Sequence, residues 1–230
     1  MDSALPTPTH DADPSADDFA PPARAWWPLL LVALAALLLG GLAGYRLGHA
    51  ATPAADSVDV GFARDMSVHH EQAVQMAALA YDRSDDPAVR LLAFDILTTQ
   101  QGQIGIMSGW LDAWGVPWTT TGPRMAWMGM PTEGLMPGMA TAAQLDALRN
   151  ADGAAADVLF LQLMIPHHVG GVDMATEAAA QAERASVQQL AAAMAEAQTS
   201  EIAYMNELLV AKGAAPVAAP TDSGHPHTMP

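Results

Sequence analysis

The chain has 230 residues, a formal net charge of −16 with only nine Lys and Arg, and no cysteine. The charge excludes nucleic-acid binding, which demands clustered basic side chains against phosphate, and makes cations the better partners. The missing thiols exclude disulfides, thiolate zinc sites and cysteine nucleophiles, without fixing the compartment.

Residues 1–24 are rich in Pro, Asp and Ala and are expected to be disordered. Residues 25–45 then form an uncharged run between Arg24 and Arg46. As a helix rising about 1.5 Å per residue, the run reaches roughly 30 Å, the thickness of a bilayer core. It reads as a transmembrane anchor, with a cleaved signal peptide as the lesser alternative. A signal peptide has a basic leader, whereas this one carries Asp2, Asp11, Asp13, Asp17 and Asp18 against Arg24 alone. Trp26, Trp27 and Tyr45 mark the two ends, where amphipathic rings favour the interface. Arg46 and the more distant Arg64, set against Arg24, slightly disfavour an external location for the C-terminal domain. Residues 46–56 read as a short tether.

Helices come next. Ser57 or Asp56 caps the first, to about Tyr81; Asp86, with Pro87 at the first helical position, opens a second to about Trp114, stopped by Gly115 and Pro117. Residues 115–140 exceed an ordinary connection and hold Met125, Met128, Met130, Met136 and Met139, which makes them a functional candidate. Thr141 and Gln144 form a capping box for a short helix ending near Asn150. Long helices occupy about 154–182 and 186–212, the last closed by Gly213. Residues 214–230 read as a flexible tail carrying His225, His227 and Met229. The predicted fold class is all-α: an antiparallel four-helix bundle over 57–213, made of two similar helix hairpins and preceded by one transmembrane helix.

The hairpins are one sequence written twice. A shift of 98 residues aligns Phe62 with Phe160, Met66 with Met164, His69 with His167, His70 with His168, Met76 with Met174 and Met107 with Met205. Two similar supersecondary units sharing one core are therefore expected. At about 100° per residue, Met66, His69, His70, Ala73 and Met76 share one stripe of their helix, as do Met164, His167, His168, Gly171 and Met174. Gln100, Gln103 and Met107 share a face on one partner helix, and Gln198, Glu201 and Met205 on the other.

A methionine at helical spacing ordinarily fills core gaps. Two adjacent His pairs on inward stripes are harder to place, because four buried imidazoles need four sets of polar partners unless a metal supplies them. Duplication of a hydrogen-bonded, metal-free core stays open as an alternative. Thioether and imidazole without thiolate suit copper, Met favouring Cu(I) and His serving both oxidation states. A di-iron centre would want several inward carboxylates, and the stripes offer mainly Glu201. Zinc at the His pairs leaves the methionines unexplained. Pro166, directly before His167, is expected to kink its helix and free the Gln162 carbonyl. Asp65, Asp95, Asp173 and Glu177 read as solvated or capping charges.

His69-His70-Glu-Gln-Ala-Val-Gln-Met76, Met136-Pro-Gly-Met139, Met164-Ile-Pro-His-His-Val-Gly-Gly-Val-Asp-Met174 and Gln198-x-x-Glu201-Ile-x-x-x-Met205 resemble the CopM-like domain-of-unknown-function family. The resemblance spans about 57–212. It implies a ferritin-like bundle, usually exported or membrane anchored, with copper held by Met66, His69, His70, Met76, Met107, Met164, His167, His168, Met174 and Met205. Gln103 departs from the family's pattern, which tends to have Glu there. The expectation is thus a single-pass cell-membrane protein with its bundle outside, binding copper through these residues and Glu201 for buffering, sequestration or handover. Its partners would be the metal ion, the membrane, a copper donor or acceptor protein and further copies of itself. A metal-dependent oxidase and a metal-free helical interaction module are the competing readings.

Overall fold

The computed structural model describes residues 26–48 and 52–218. The expectations placed on residues 1–24 and on His225, His227 and Met229 lie outside these. Among the described residues the chain is all-helical, with six α-helices and no β-strand. It divides into two compact units, one up to Ala51 and one from Thr52 onward.

The first unit contributes α1 (Trp27–Gly48). Its stretch Trp27–Tyr45 is long and apolar enough to cross a membrane, and an N-terminal signal sequence has the same properties. The helix runs to Gly48, three residues into the segment read as a tether.

The second unit opens with α2 (Val58–Arg83) and α3 (Pro87–Trp114), continues through α4 (Ala142–Arg149), and closes with α5 (Gly153–Gln181) and α6 (Ala185–Ala211). Local chemistry sets these boundaries. The Ser57 hydroxyl accepts from the Val60 amide at 3.4 Å, and Asp86 Oδ1 accepts from the Ala88 amide at 2.8 Å. Each supplies an acceptor to a helix start whose first amides have no intrahelical partner. Gly115, at φ 65°, ends α3 in the left-handed conformation that glycine adopts without strain. The Thr141–Gln144 capping box forms as expected. Helix α5 runs uninterrupted through Pro166.

The α2–α3 and α5–α6 hairpins meet along α2 and α5. Two buried apolar clusters result. One gathers Ala73–Ala80 of α2, Val89–Ile96 of α3, Phe160–Ile165 of α5 and Met205–Leu209 of α6. The other gathers the opposite ends of the same helices: Val60–Met66, Met107–Leu111, Met174–Ala178 and Val187–Met194. Burying a large apolar side chain contributes about 1.5–3 kcal/mol, so these two clusters hold the hairpins together.

Ionic contacts fasten both ends. Buried Asp59 of α2 accepts from the Glu183 and Arg184 amides, each at 3.0 Å, and so ties the turn between α5 and α6 to α2. At the far end Lys212 Nζ bridges Asp86 (2.6 Å) and Asp157 (2.7 Å). The segment read as a flexible tail begins by folding back, with the Val217 amide donating to Asn206 at 2.8 Å and Ala214 and Val217 packed on the first cluster.

Candidate metal centre

Along each long helix of the second unit, polar residues separate the two apolar clusters. On α2 these are His69 and His70, on α3 Gln100 and Gln103, on α5 His167 and His168, and on α6 Gln198 and Glu201. Four helices crossing at that level build a polar layer in the middle of an apolar core.

All four histidines are buried. His69 and His167, counterparts in the repeat, stack with ring centroids 3.8 Å apart and planes inclined by 30°. His70 Nε2 lies 2.7 Å from Gln103 Oε1, and at the matching place His168 Nε2 lies 2.7 Å from Glu201 Oε2. His69 Nε2 lies 3.2 Å from the Pro137 carbonyl oxygen. Carbonyl and carboxylate oxygens only accept, so in these three rings Nε2 carries the proton and donates it. The Nδ1 atoms of His69, His70 and His168 have no hydrogen-bond partner, and both ring nitrogens of His167 also lack one. Of seven unpartnered buried side-chain polar atoms among the described residues, five are ring nitrogens of this quartet. Each would ordinarily cost about 1–3 kcal/mol, so the layer is held at a disadvantage that a ligand would relieve.

Burial also keeps His69, His70 and His167 neutral. It pushes His69 down to about 4, partly opposed by its bond to the Pro137 carbonyl. It pushes His70 to about 3, with the neighbouring His69 adding to the effect. His167 falls well below an ordinary imidazole, again mainly through burial and then through the nearby His69 and His168. The His69 backbone opposes this slightly without reaching either ring nitrogen of His167 in hydrogen-bonding geometry. Neutral imidazole is the form that ligates metals.

The six repeat-matched methionines are fully buried and split evenly across the layer. Met66, Met107 and Met174 fall in one apolar cluster; Met76, Met164 and Met205 fall in the other. The 98-residue shift converts each trio into the other, so each side takes two thioethers from one repeat and one from its twin. Glu201 is half-buried and already bonded to His168. Among the described residues no three His, Asp or Glu side chains converge closely enough to hold a metal by themselves. The buried methionines on either side of the layer offer further donors, and soft thioethers beside imidazole fit copper better than zinc or iron.

Residues 115–140, expected as a functional loop, form a strap whose ties to α2 and α5 sequence reasoning missed. Its 3₁₀ turn, Ala126–Met128, is tied to α2 by Asp65, whose Oδ2 accepts from the Met125 amide (2.8 Å) and the Trp127 indole (2.9 Å). Asp65, expected as a solvated or capping charge, is not solvated and does not cap its own helix. It is buried, and desolvation raises its pKa against the two bonds it accepts. Gln72, one residue outside the predicted stripe, closes a two-way bond with Ala140, donating to its carbonyl at 2.9 Å and accepting from its amide at 2.6 Å. Between these ties Gly138, at φ 76°, lies so close to α5 that a Cβ would overlap the Pro166 carbonyl oxygen; a Cβ on Gly170 would likewise overlap the Pro137 carbonyl oxygen. The Met136-Pro-Gly-Met139 segment carried the signal, since glycine beside proline marks a constrained turn. The strap's own Met125 and Met136 are buried in the second apolar cluster.

Fold and site define an all-helical protein with a duplicated, buried His and Met centre. The chain belongs to the family described as Domain of unknown function (DUF305), whose model matches residues 59–209. A DUF305 protein from Streptomyces coelicolor, described as secreted, shares 50% identity at a TM-score of 0.69, covering 72% of this chain and 99% of that one. A DUF305 fragment from Deinococcus radiodurans shares 32% identity at a TM-score of 0.56, covering 67% and 96%. CopM in its Cu(I)-bound form shares 28% identity at a TM-score of 0.51, covering 66% and 96%. No curated protein matches the chain.

Proposed function

We propose that this chain is a membrane-anchored, extracytoplasmic copper-binding protein that buffers, sequesters or hands over copper from a ferritin-like, antiparallel four-helix bundle. The observation that carries this reading is the set of buried imidazole nitrogens without partners, layered between two trios of buried methionine. His69, His70, His167 and His168 supply imidazole. Met66, Met107 and Met174 supply thioether on one side, and Met76, Met164 and Met205 on the other. Glu201 holds His168. CopM, solved in Cu(I)-, Cu(II)- and Ag-bound forms at 26–28% identity, supports the choice of metal. The apolar helix α1 and the secreted description of the Streptomyces relative support a location beyond the cytoplasmic membrane.

The test is a copper titration of the full chain in detergent, anaerobic for Cu(I) and aerobic for Cu(II). Replacing His69, His70, His167 and His168 together by Ala should abolish the tightest site. Unchanged affinity in that variant overturns the proposal.

A further inference from the structure

The two halves of the polar layer are matched in geometry and unmatched in charge. His70 donates Nε2–H to Gln103 and His168 donates Nε2–H to Glu201, both across 2.7 Å, and both keep a buried, unpartnered Nδ1. The 98-residue shift carries His70 onto His168 and Gln103 onto Glu201, so the repeat has kept the acceptor's place while changing its charge. The second asymmetry lies at the stacked pair: His69 donates to the Pro137 carbonyl, whereas the strap crosses only once and His167 receives no such bond.

A carboxylate behind an imidazole does more than an amide there. Both fix the tautomer, but the anion makes the opposite nitrogen a stronger donor and balances the charge of a cation bound to it. The balance matters most for the more highly charged ion. Resting on the copper-binding reading above, we infer that Glu201 is a positioning residue that makes the His168 half the tighter, Cu(II)-preferring half, while the Gln103-backed His70 half is weaker for Cu(II) and discriminates less between oxidation states. Duplication has thus produced two unlike sites.

Two measurements decide this. In the metal-free full chain, nitrogen-detected NMR of the ring nitrogens should show His70 and His168 as Nε2–H tautomers with bare Nδ1. An Nδ1–H tautomer at His168 overturns the positioning role, with no metal involved. In copper titrations, Glu201→Gln should weaken the tighter Cu(II) site by about 10–100-fold and bring the two Cu(II) affinities together, while Cu(I) affinity changes by less than about threefold. The amide is a fair substitute, since Gln103 already holds His70 in the same way. Gln103→Glu should strengthen the weaker Cu(II) site. Equal losses for Cu(I) and Cu(II) in Glu201→Gln, or an unchanged ratio between sites in both variants, overturns the inference while leaving copper binding intact. Absence of any copper binding in the wild type overturns both it and the proposed function.

Discussion

His69 lies face to face with His167, its own counterpart in the repeat, at a centroid separation of 3.8 Å. A residue that touches its duplicate marks the approximate two-fold axis relating the two hairpins. Buried on that axis is a pair of imidazoles, one anchored by a single bond and the other by none.

His167→Leu should therefore make the metal-free protein more stable, because it removes two unpartnered buried nitrogens and fills much the same volume. The gain is about 1–3 kcal/mol, which for a domain of this size raises Tm by about 2–4 °C per kcal/mol. Thermal melting in a chelator measures it, and the same variant should bind copper more weakly. A lower Tm in chelator would mean that the ring has polar partners after all.

Stability of the metal-free protein should decline below about pH 6.5. The folded-state values of His69 and His70, about 4 and about 3, lie beneath the unfolded value of about 6.5. Neither state binds the proton above 6.5, so these groups contribute no pH dependence there. As pH falls from 6.5 toward 4 the unfolded chain takes up protons that the folded chain refuses, and folding weakens. At pH 5 each such histidine costs about 2 kcal/mol. Denaturant midpoints at pH 7 and 5 check the sign, and equal midpoints would contradict it.

Exposed histidines would surrender Cu(II) between about pH 7 and 5. The depressed values of His69 and His70 shift proton competition lower, so Cu(II) should persist at pH 5.5 and leave toward pH 4 or 3. Thioethers do not titrate, so Cu(I) held by the two methionine trios should outlast it. Parallel loss of Cu(I) and Cu(II) down the pH range would reduce the methionines to packing residues.

Gly170→Ala reverses an ordinary sign. In a helix interior this exchange normally stabilises by about 0.5–1 kcal/mol, but here the new Cβ would overlap the Pro137 carbonyl oxygen. Both Gly170→Ala and Gly138→Ala should destabilise the protein and speed proteolysis within residues 129–139 by at least several-fold. Unaltered cleavage in both would show that the strap does not depend on this contact.

External protease added to intact cells should digest the bundle. Complete protection, relieved only by permeabilising the membrane, would place it on the cytoplasmic side.

The helices were legible because their signals are local. Ser57, Asp86 and Thr141 are caps whose chemistry needs no knowledge of the rest of the chain, and helical periodicity alone lays out the His and Met stripe. The repeat also exposed the matched pairs that build the layer. Features that depend on docking stayed hidden. Nothing in the sequence around Asp65 says that a strap 60 residues on will donate two bonds to it, and Gln72 finds Ala140 across a similar separation. Stacking of His69 on His167 requires the two hairpins to meet through α2 and α5, a choice that periodicity alone leaves undetermined.

The fastened ends and unsatisfied middle give the bundle an unusual mechanical profile. Asp59 clamps one end through the start of α6, and Lys212 staples the other through Asp86 and Asp157. A helical rod built this way carries most of its unpartnered buried polar atoms at the waist and its ties at the tips. A guest seated at that level would bind the folded form alone, and the work of admitting it would become the work of holding the two hairpins together.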